Sequence, residues 1–155
     1  ILEYGKSSIT QLTDTIRKLA NQYGVPMSNV VADEDGVGGG VVDILNCKGF
    51  VNGSKPIDEE VGKVEYKNLK SQCYFHLAKK INDNQIYINA NSEQKELITQ
   101  ELEQVKRHNI DKDGKLEVLP KEEIKKLINR SPDYADALMM RMSFDLAPKQ
   151  DLFFF

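Results

Sequence analysis

The sequence predicts an α/β fold, a mixed sheet flanked by helices. Short apolar runs alternate with longer helical patterns along the chain. Near its start, one such helix lies between two strand-like runs, the pattern of a β-α-β unit. An acid, Asp33, then stands where a strand gives way to a glycine-rich turn. Open α/β sheets bind their ligands at that place.

The elements follow in order. Residues 1–4 read as a strand. Ser7 or Ser8 caps a helix that runs to Tyr23, with Ile9, Leu12, Ile16, Leu19 and Ala20 on one face. Gly24 ends it as the residue that turns left-handed. The run Asn29-Val30-Val31-Ala32 is the next strand, parallel to the first. Past the glycine turn, residues 41–47 form a short helix ended by Gly49, and Phe50-Val51 a short strand. Residues 52–65 hold Gly53, Ser54, Pro56 and Gly62 and read as a loop. A helix over 66–81 places Leu69, Cys73, Leu77 and Ile81 at four-residue spacing.

Residues 85–88 read as a strand, and Asn91 or Ser92 caps a helix to about Arg107 with Leu97, Ile98, Leu102 and Val105 inward. Residues 109–119 form a hairpin turning at Asp113-Gly114. Pro120 precedes a short helix over 121–128. The last helix covers 131–144, with Ser131 as N-cap and Pro132 in the first helical position. Asp133 and Asp136 lie three apart on one face of its first turn. Ala137, Met140 and Phe144 form its apolar stripe, so Asp136 borders the core. A carboxylate there is costly unless a cation or donor compensates it. A metal ion shared with a second acid cluster would do so.

A chain of 155 residues suits one domain with its own core. No apolar run approaches the roughly 20 residues that span a bilayer, and no signal segment opens the sequence. Cys47 and Cys73 lie far apart without metal-ligand spacing and read as reduced core residues of a cytosolic protein. The net charge of −3 gives no overall basic field to attract nucleic acid. Basic residues cluster locally instead: Lys67, Lys70, Lys79 and Lys80, and Lys121, Lys125, Lys126 and Arg130. Lys67, Lys70, Lys125 and Arg130 are the candidate nucleic-acid contacts; the competing reading of both clusters is a solvated helix face.

The stretch Ala32-Asp33-Glu34-Asp35-Gly36-Val37-Gly38-Gly39-Gly40-Val41-Val42-Asp43 resembles the second acidic motif of phage terminase large subunits. Tyr66-Lys67-Asn68-Leu69-Lys70-Ser71-Gln72 resembles the segment that follows it in that family, and residues 131–140 resemble the closing Asp-x-x-Asp-Ala-Leu helix. Order and spacing agree over nearly the whole chain, with the C-terminal nuclease half alone. The resemblance implies a ribonuclease H-like fold and an endonuclease that cuts concatemeric viral DNA with two divalent metals, magnesium or manganese. It implies Asp33 and Asp136 as catalytic metal ligands and Asp133 as an accessory ligand. Glu34 and Asp35 are the fallback.

The family's first catalytic Asp lies on a first strand upstream of anything here. A single nuclease-type domain over 1–155, shortened at its N-terminus and separate from an ATPase domain, is therefore expected. The implied partners are double-stranded DNA, a portal, a small terminase subunit and that ATPase domain, in the cytoplasm of a bacterial host. No membrane partner is expected.

Other motifs point elsewhere and fail. Asn109-x-Asp111-x-Asp113-Gly114 imitates the start of an EF-hand loop, but Pro120 stands where the bidentate Glu belongs. Gly36-x-Gly38-Gly39-Gly40 lacks the Gly-Lys-Ser/Thr ending of a P-loop, and Val41 breaks the dinucleotide pattern. Its glycines are expected to keep the loop small, so that DNA or metal can reach Asp33. His76 and His108 have no nucleophile pattern around them and read as ordinary helix or surface residues. Two other functions use the same residues. One is a junction-resolving or RNA-hybrid nuclease. The other is a non-catalytic assembly module that binds a portal or regulator through the 52–65 loop or the apolar tail Asp151-Leu152-Phe153-Phe154-Phe155. The loop's acids, Asp58, Glu59 and Glu60, suggest autoinhibition by repelling DNA.

Overall fold

Seven α-helices and two small sheets make up the described part of the computed structural model, which comprises residues 1–36, 38–57, 65–108 and 114–147. Helix α1 (Ile9–Tyr23) begins at Ser8, whose hydroxyl accepts from the Gln11 amide while the Gln11 side chain accepts from the Ser8 amide. It ends at Gly24, left-handed at φ 64°. Both caps stand where the sequence puts them. A 3-10 turn (Met27–Asn29) leads into β1 (Val31–Asp33), and a turn through Gly36 leads into α2 (Gly38–Leu45). Strand β2 (Lys48–Phe50) then pairs parallel with β1, Ala32 opposite Gly49.

The parallel partner of β1 thus differs from the expected one. Residues 1–4 form no strand; they are exposed, and the Ile1 ammonium donates to the Asn89 carbonyl at 3.0 Å. Residues 85–88 also form no strand, and Tyr87 is 87% exposed. Apolar alternation creates a surface that fits a sheet, but a strand also needs a neighbouring ladder. Near α2 the glycines behave differently from a plain loop. Gly38, Gly39 and Gly40 form the first turn of the helix, and a Cβ on Gly38 would overlap the Asp33 carbonyl oxygen. That close approach holds the end of β1 against the start of α2. Asn46, at φ 49°, ends the helix instead of Gly49.

Helix α3 (Leu69–Asn82) starts three residues later than its apolar spacing suggests, because Asn68 caps it by accepting from the Ser71 amide at 2.9 Å. Tyr66 instead makes a parallel bridge to Leu116. Helix α4 (Ser92–Gln104) is boxed at its start by Asn91 and Gln94. It stops short of Arg107, since Arg107 and His108 form β3 and pair antiparallel with β4 (Glu117–Val118). This is the predicted hairpin. Its residues 109–113 lie outside the described residues, as do Asp58, Glu59 and Glu60 of the loop and the Phe153–Phe155 tail.

Helix α5 (Lys121–Ile128) follows Pro120 as expected and ends at left-handed Asn129. Helix α6 (Asp133–Arg141) and the short α7 (Ser143–Leu146) replace one predicted helix, with Met142 as the joint between them. Pro132, not Ser131, occupies the N-cap, and no side chain of that residue caps the helix.

The core lies where α3 and α6 pack together, with β2 and β4 against them. It contains Phe50, Leu69, Cys73, Leu77, Val118, Ala135, Met139 and Met142. The free thiol of Cys73 is fully buried, and burial pushes it up to about 12. Leu77 is 1% exposed, whereas Ile81, one turn on, is 36% exposed. The four-residue spacing drifts off the buried face by its last member, since a helix turns every 3.6 residues. Leu77→Ala should therefore lower stability by about 2–5 kcal/mol, and Ile81→Ala by roughly 1 kcal/mol or less. Urea unfolding measures both; equal losses would contradict this packing.

Candidate functional site

Strand β1 ends at Asp33, and α6 begins with Asp133 and Asp136; the two elements pack directly on each other. The fold therefore brings both acidic motifs to one place. Asp136 lies deeper than its sequence pattern suggests. It is 7% exposed, and the buried face of α6 runs through Ala135, Asp136, Met139 and Met142, while Ala137 points to solvent. The predicted stripe through Ala137 and Met140 is thus rotated by about one residue.

Such a carboxylate needs compensation. Three side chains supply it. The Tyr74 hydroxyl donates to Oδ1 at 2.7 Å, and the Lys70 ammonium stands 3.4 Å from the same oxygen. Lys121 donates to Oδ2 at 2.5 Å. Burial alone would raise the Asp136 carboxyl, but Lys70, Lys121 and Tyr74 outweigh it and hold the group below the ordinary range. Lys121 shows the reciprocal balance. Burial lowers its ammonium, while the bond to Asp136 and the charges of Asp136, Asp133 and Asp33 raise it further. Burial and the Asp136 charge push the Tyr74 phenol upward, so it stays a donor.

Lys121 is thus a protein cation set among three aspartates on two elements. Among the described residues, no three His, Cys, Asp or Glu side chains gather closely enough to hold one ion. The donors on offer are nevertheless all hard carboxylate oxygens, the set that suits magnesium or manganese. One of these carboxylates, Asp136, already holds a cation, the Lys121 ammonium.

The fallback acids flank Asp33. Asp35 Oδ2 accepts from the Asn52 backbone at 3.1 Å and from its side chain at 2.8 Å. The Glu34 carboxylate lies over Gly49, where any Cβ would overlap it. Asp33 Oδ1 accepts from the Asp35 amide at 3.1 Å and from Asn52 at 3.4 Å. Asn52 therefore ties the β1 turn to the end of the strand beside it, a role with no signal in the sequence.

The four basic candidates separate. Lys67 is exposed, and Lys125 pairs with Glu122 on its own helix at 2.8 Å. Lys70 faces Asp136 instead of solvent. Arg130 pairs with the fully buried Glu101 and donates to the Leu97 carbonyl at 3.1 Å. Glu101 itself went unnoticed in the sequence, because a lone Glu on a polar helix carries no motif. His76 is half-buried in α3 with Nε2 3.6 Å from Asp145, and burial lowers it. His108 lies in β3.

The Lys121–Asp136 pair, where the β1 and β2 strand pair meets the start of α6, makes a buried carboxylate site on an α/β scaffold. No protein-family model matches the sequence, and no curated protein matches it. Solved structures do. A lysine-to-alanine mutant of the nuclease domain of the large terminase subunit gp2 of bacterial virus Sf6, with manganese and beta-thujaplicinol, superposes at a TM-score of 0.74. The two are 24% identical over 92% of this chain and 75% of that one. The mutant with manganese alone gives 0.68 at 25% identity, over 84% of this chain and 71% of the other. The unmutated domain gives 0.68 at 25% identity, over 84% and 70%. The chain has the fold of the nuclease domain of a phage terminase large subunit, as its three motifs implied.

The depressed Asp136 carboxyl has a consequence for acid stability. Its pairing contributes fully above the unfolded value of about 3.9 and is lost as pH falls through the lower folded value. Asp136→Asn should therefore flatten the fall in unfolding free energy between about pH 5 and about pH 2. Urea unfolding across that range measures it. An unchanged pH slope in the variant would mean that Asp136 is not the paired group.

Proposed function

We propose that this chain is the endonuclease domain of a viral DNA-packaging terminase, a divalent-metal-dependent enzyme of ribonuclease H-like fold that cuts double-stranded phage DNA. The observation that carries the reading is the packing of β1, which ends at Asp33, on α6, whose first turn holds Asp133 and the Lys121-paired Asp136. The likeness to a terminase nuclease domain bound to manganese supports it. Asp33 and Asp136 are the metal-bearing acids in this reading, and Asp133 is the accessory one. When bound, paired magnesium or manganese ions supply an activated water and stabilise the leaving oxygen in an in-line phosphodiester displacement.

The chain's own groups prepare that site. Tyr74 and Lys70 hold Asp136 Oδ1 from the core side, so Oδ2 is the oxygen offered to a cation. Lys121 keeps that oxygen compensated until a cation replaces it. Lys67, exposed, and Lys125, on a surface pair with Glu122, are the basic residues suited to the DNA backbone; Lys70 and Arg130 are held by the buried carboxylates of Asp136 and Glu101. The working partners in this reading are double-stranded DNA, the ATPase domain, the portal and the small terminase subunit, within a bacterial host cell. Among the described residues no helix is long and apolar enough to cross a membrane.

Calorimetric titration with manganese tests the reading. The wild-type chain should bind manganese, and Asp136→Asn should weaken binding by about tenfold or more, roughly 1.4 kcal/mol. Lys121→Ala should tighten it by a similar factor, since the competing ammonium is gone. If neither wild type nor Lys121→Ala binds manganese, the cleft is not a metal site and the non-catalytic module is the better reading.

A further inference from the structure

Helix α6 carries two of the three aspartates, yet its own sequence does not cap it. Helices α1, α3 and α4 each begin with a side chain that accepts from the first turn; α6 begins at Pro132, which has none to offer. The acceptor comes from another helix. Glu101, on α4 and 0% exposed, receives the Ala135 amide on Oε2 at 2.8 Å. Its Oε1 is held by Arg130, which also donates to the Leu97 carbonyl at 3.1 Å. Arg130 lies in the connection between α5 and α6, so one ion pair fixes α4, that connection and the first turn of α6 together.

Ala135 immediately precedes Asp136. A shift of the Ala135 amide by a fraction of an ångström moves the Asp136 carboxylate relative to Tyr74 and Lys121. Burial of an anion at this point is costly, and a neutral cap would satisfy the amide at less cost. A charged pair adds a directional tether between separate elements.

We infer that Glu101 and Arg130 are positioning residues for the aspartate turn: their ion pair sets the rotation of α6 and thereby the presentation of Asp136 to a cation. This rests on the metal-site reading above and extends it to residues that touch neither the ion nor DNA. Groups that orient metal ligands through a second contact typically alter metal affinity by about 10–100-fold when changed.

The test uses the whole chain and Glu101→Gln, which preserves size and an acceptor for Ala135 but removes the charge. Arg130→Met and Arg130→Lys accompany it, the latter keeping charge without the two-pronged geometry. Manganese affinity is measured by calorimetry well below each variant's unfolding temperature. Glu101→Gln and Arg130→Met should weaken manganese binding by about 10–100-fold, with Arg130→Lys recovering part of the loss. Should Glu101→Gln fail to fold, the two Arg130 variants carry the measurement.

A second arm needs no metal. A double-mutant cycle combines Glu101→Gln with Lys121→Met, two residues on opposite sides of the turn. Coupling through α6 should make their effects on the unfolding equilibrium constant non-additive by about threefold or more. Lower melting temperatures with unchanged manganese affinity and additive stabilities would overturn the inference and leave the pair as a helix support alone. Coupling in a wild-type chain that binds no manganese would uphold the positioning of Asp136 and defeat the metal reading instead.

Discussion

The buried charge of Asp136 organises this molecule. A carboxylate at 7% exposure is tolerable only when its oxygens are fully engaged. The compensating groups come from separate parts of the chain: Lys70 and Tyr74 from α3, Lys121 from the start of α5. Satisfying one side chain therefore draws α3, α5 and α6 together, and β1 follows because it packs on α6. A fold stabilised mainly by apolar burial would place an aliphatic residue there.

Three ion pairs meet at the same helical turn. Lys121 and Lys70 meet the Asp136 carboxylate, while Glu101 and Arg130 grip the backbone just before it. At the other end of the cleft, Gly38 permits the Asp33 carbonyl to lie against α2, and Asn52 braces the turn through Asp33 and Asp35. Both acidic segments are thus positioned by backbone contacts that other elements control.

Much of this was legible in the sequence where the signal is local. Ser8, Gly24 and Asn91 are caps because their side chains or conformational freedom meet nearby amides, and the structure uses each of them. Pro120 and α5 follow the same logic. The strand that ends at Asp33 packs on the helix that carries Asp133 and Asp136. What failed was long-range. Residues 1–4 and 85–88 have strand-like composition without a ladder beside them. The buried face of α6 was misjudged because Ala137 and Met140 look more apolar than Asp136, and only the contacts from Tyr74 and Glu101 reveal which way the helix turns. Arg130 looked like a DNA contact because its partner, Glu101, lies 29 residues away in sequence.

In the proposed reading Asp136 takes a divalent cation where it now holds the Lys121 ammonium. Anomalous diffraction from crystals of this chain grown with saturating manganese checks it. A manganese peak is expected beside Asp136 and Asp33, with the Lys121 ammonium withdrawn from Oδ2. Manganese bound only at a remote surface, with Lys121 still on Asp136, would contradict it.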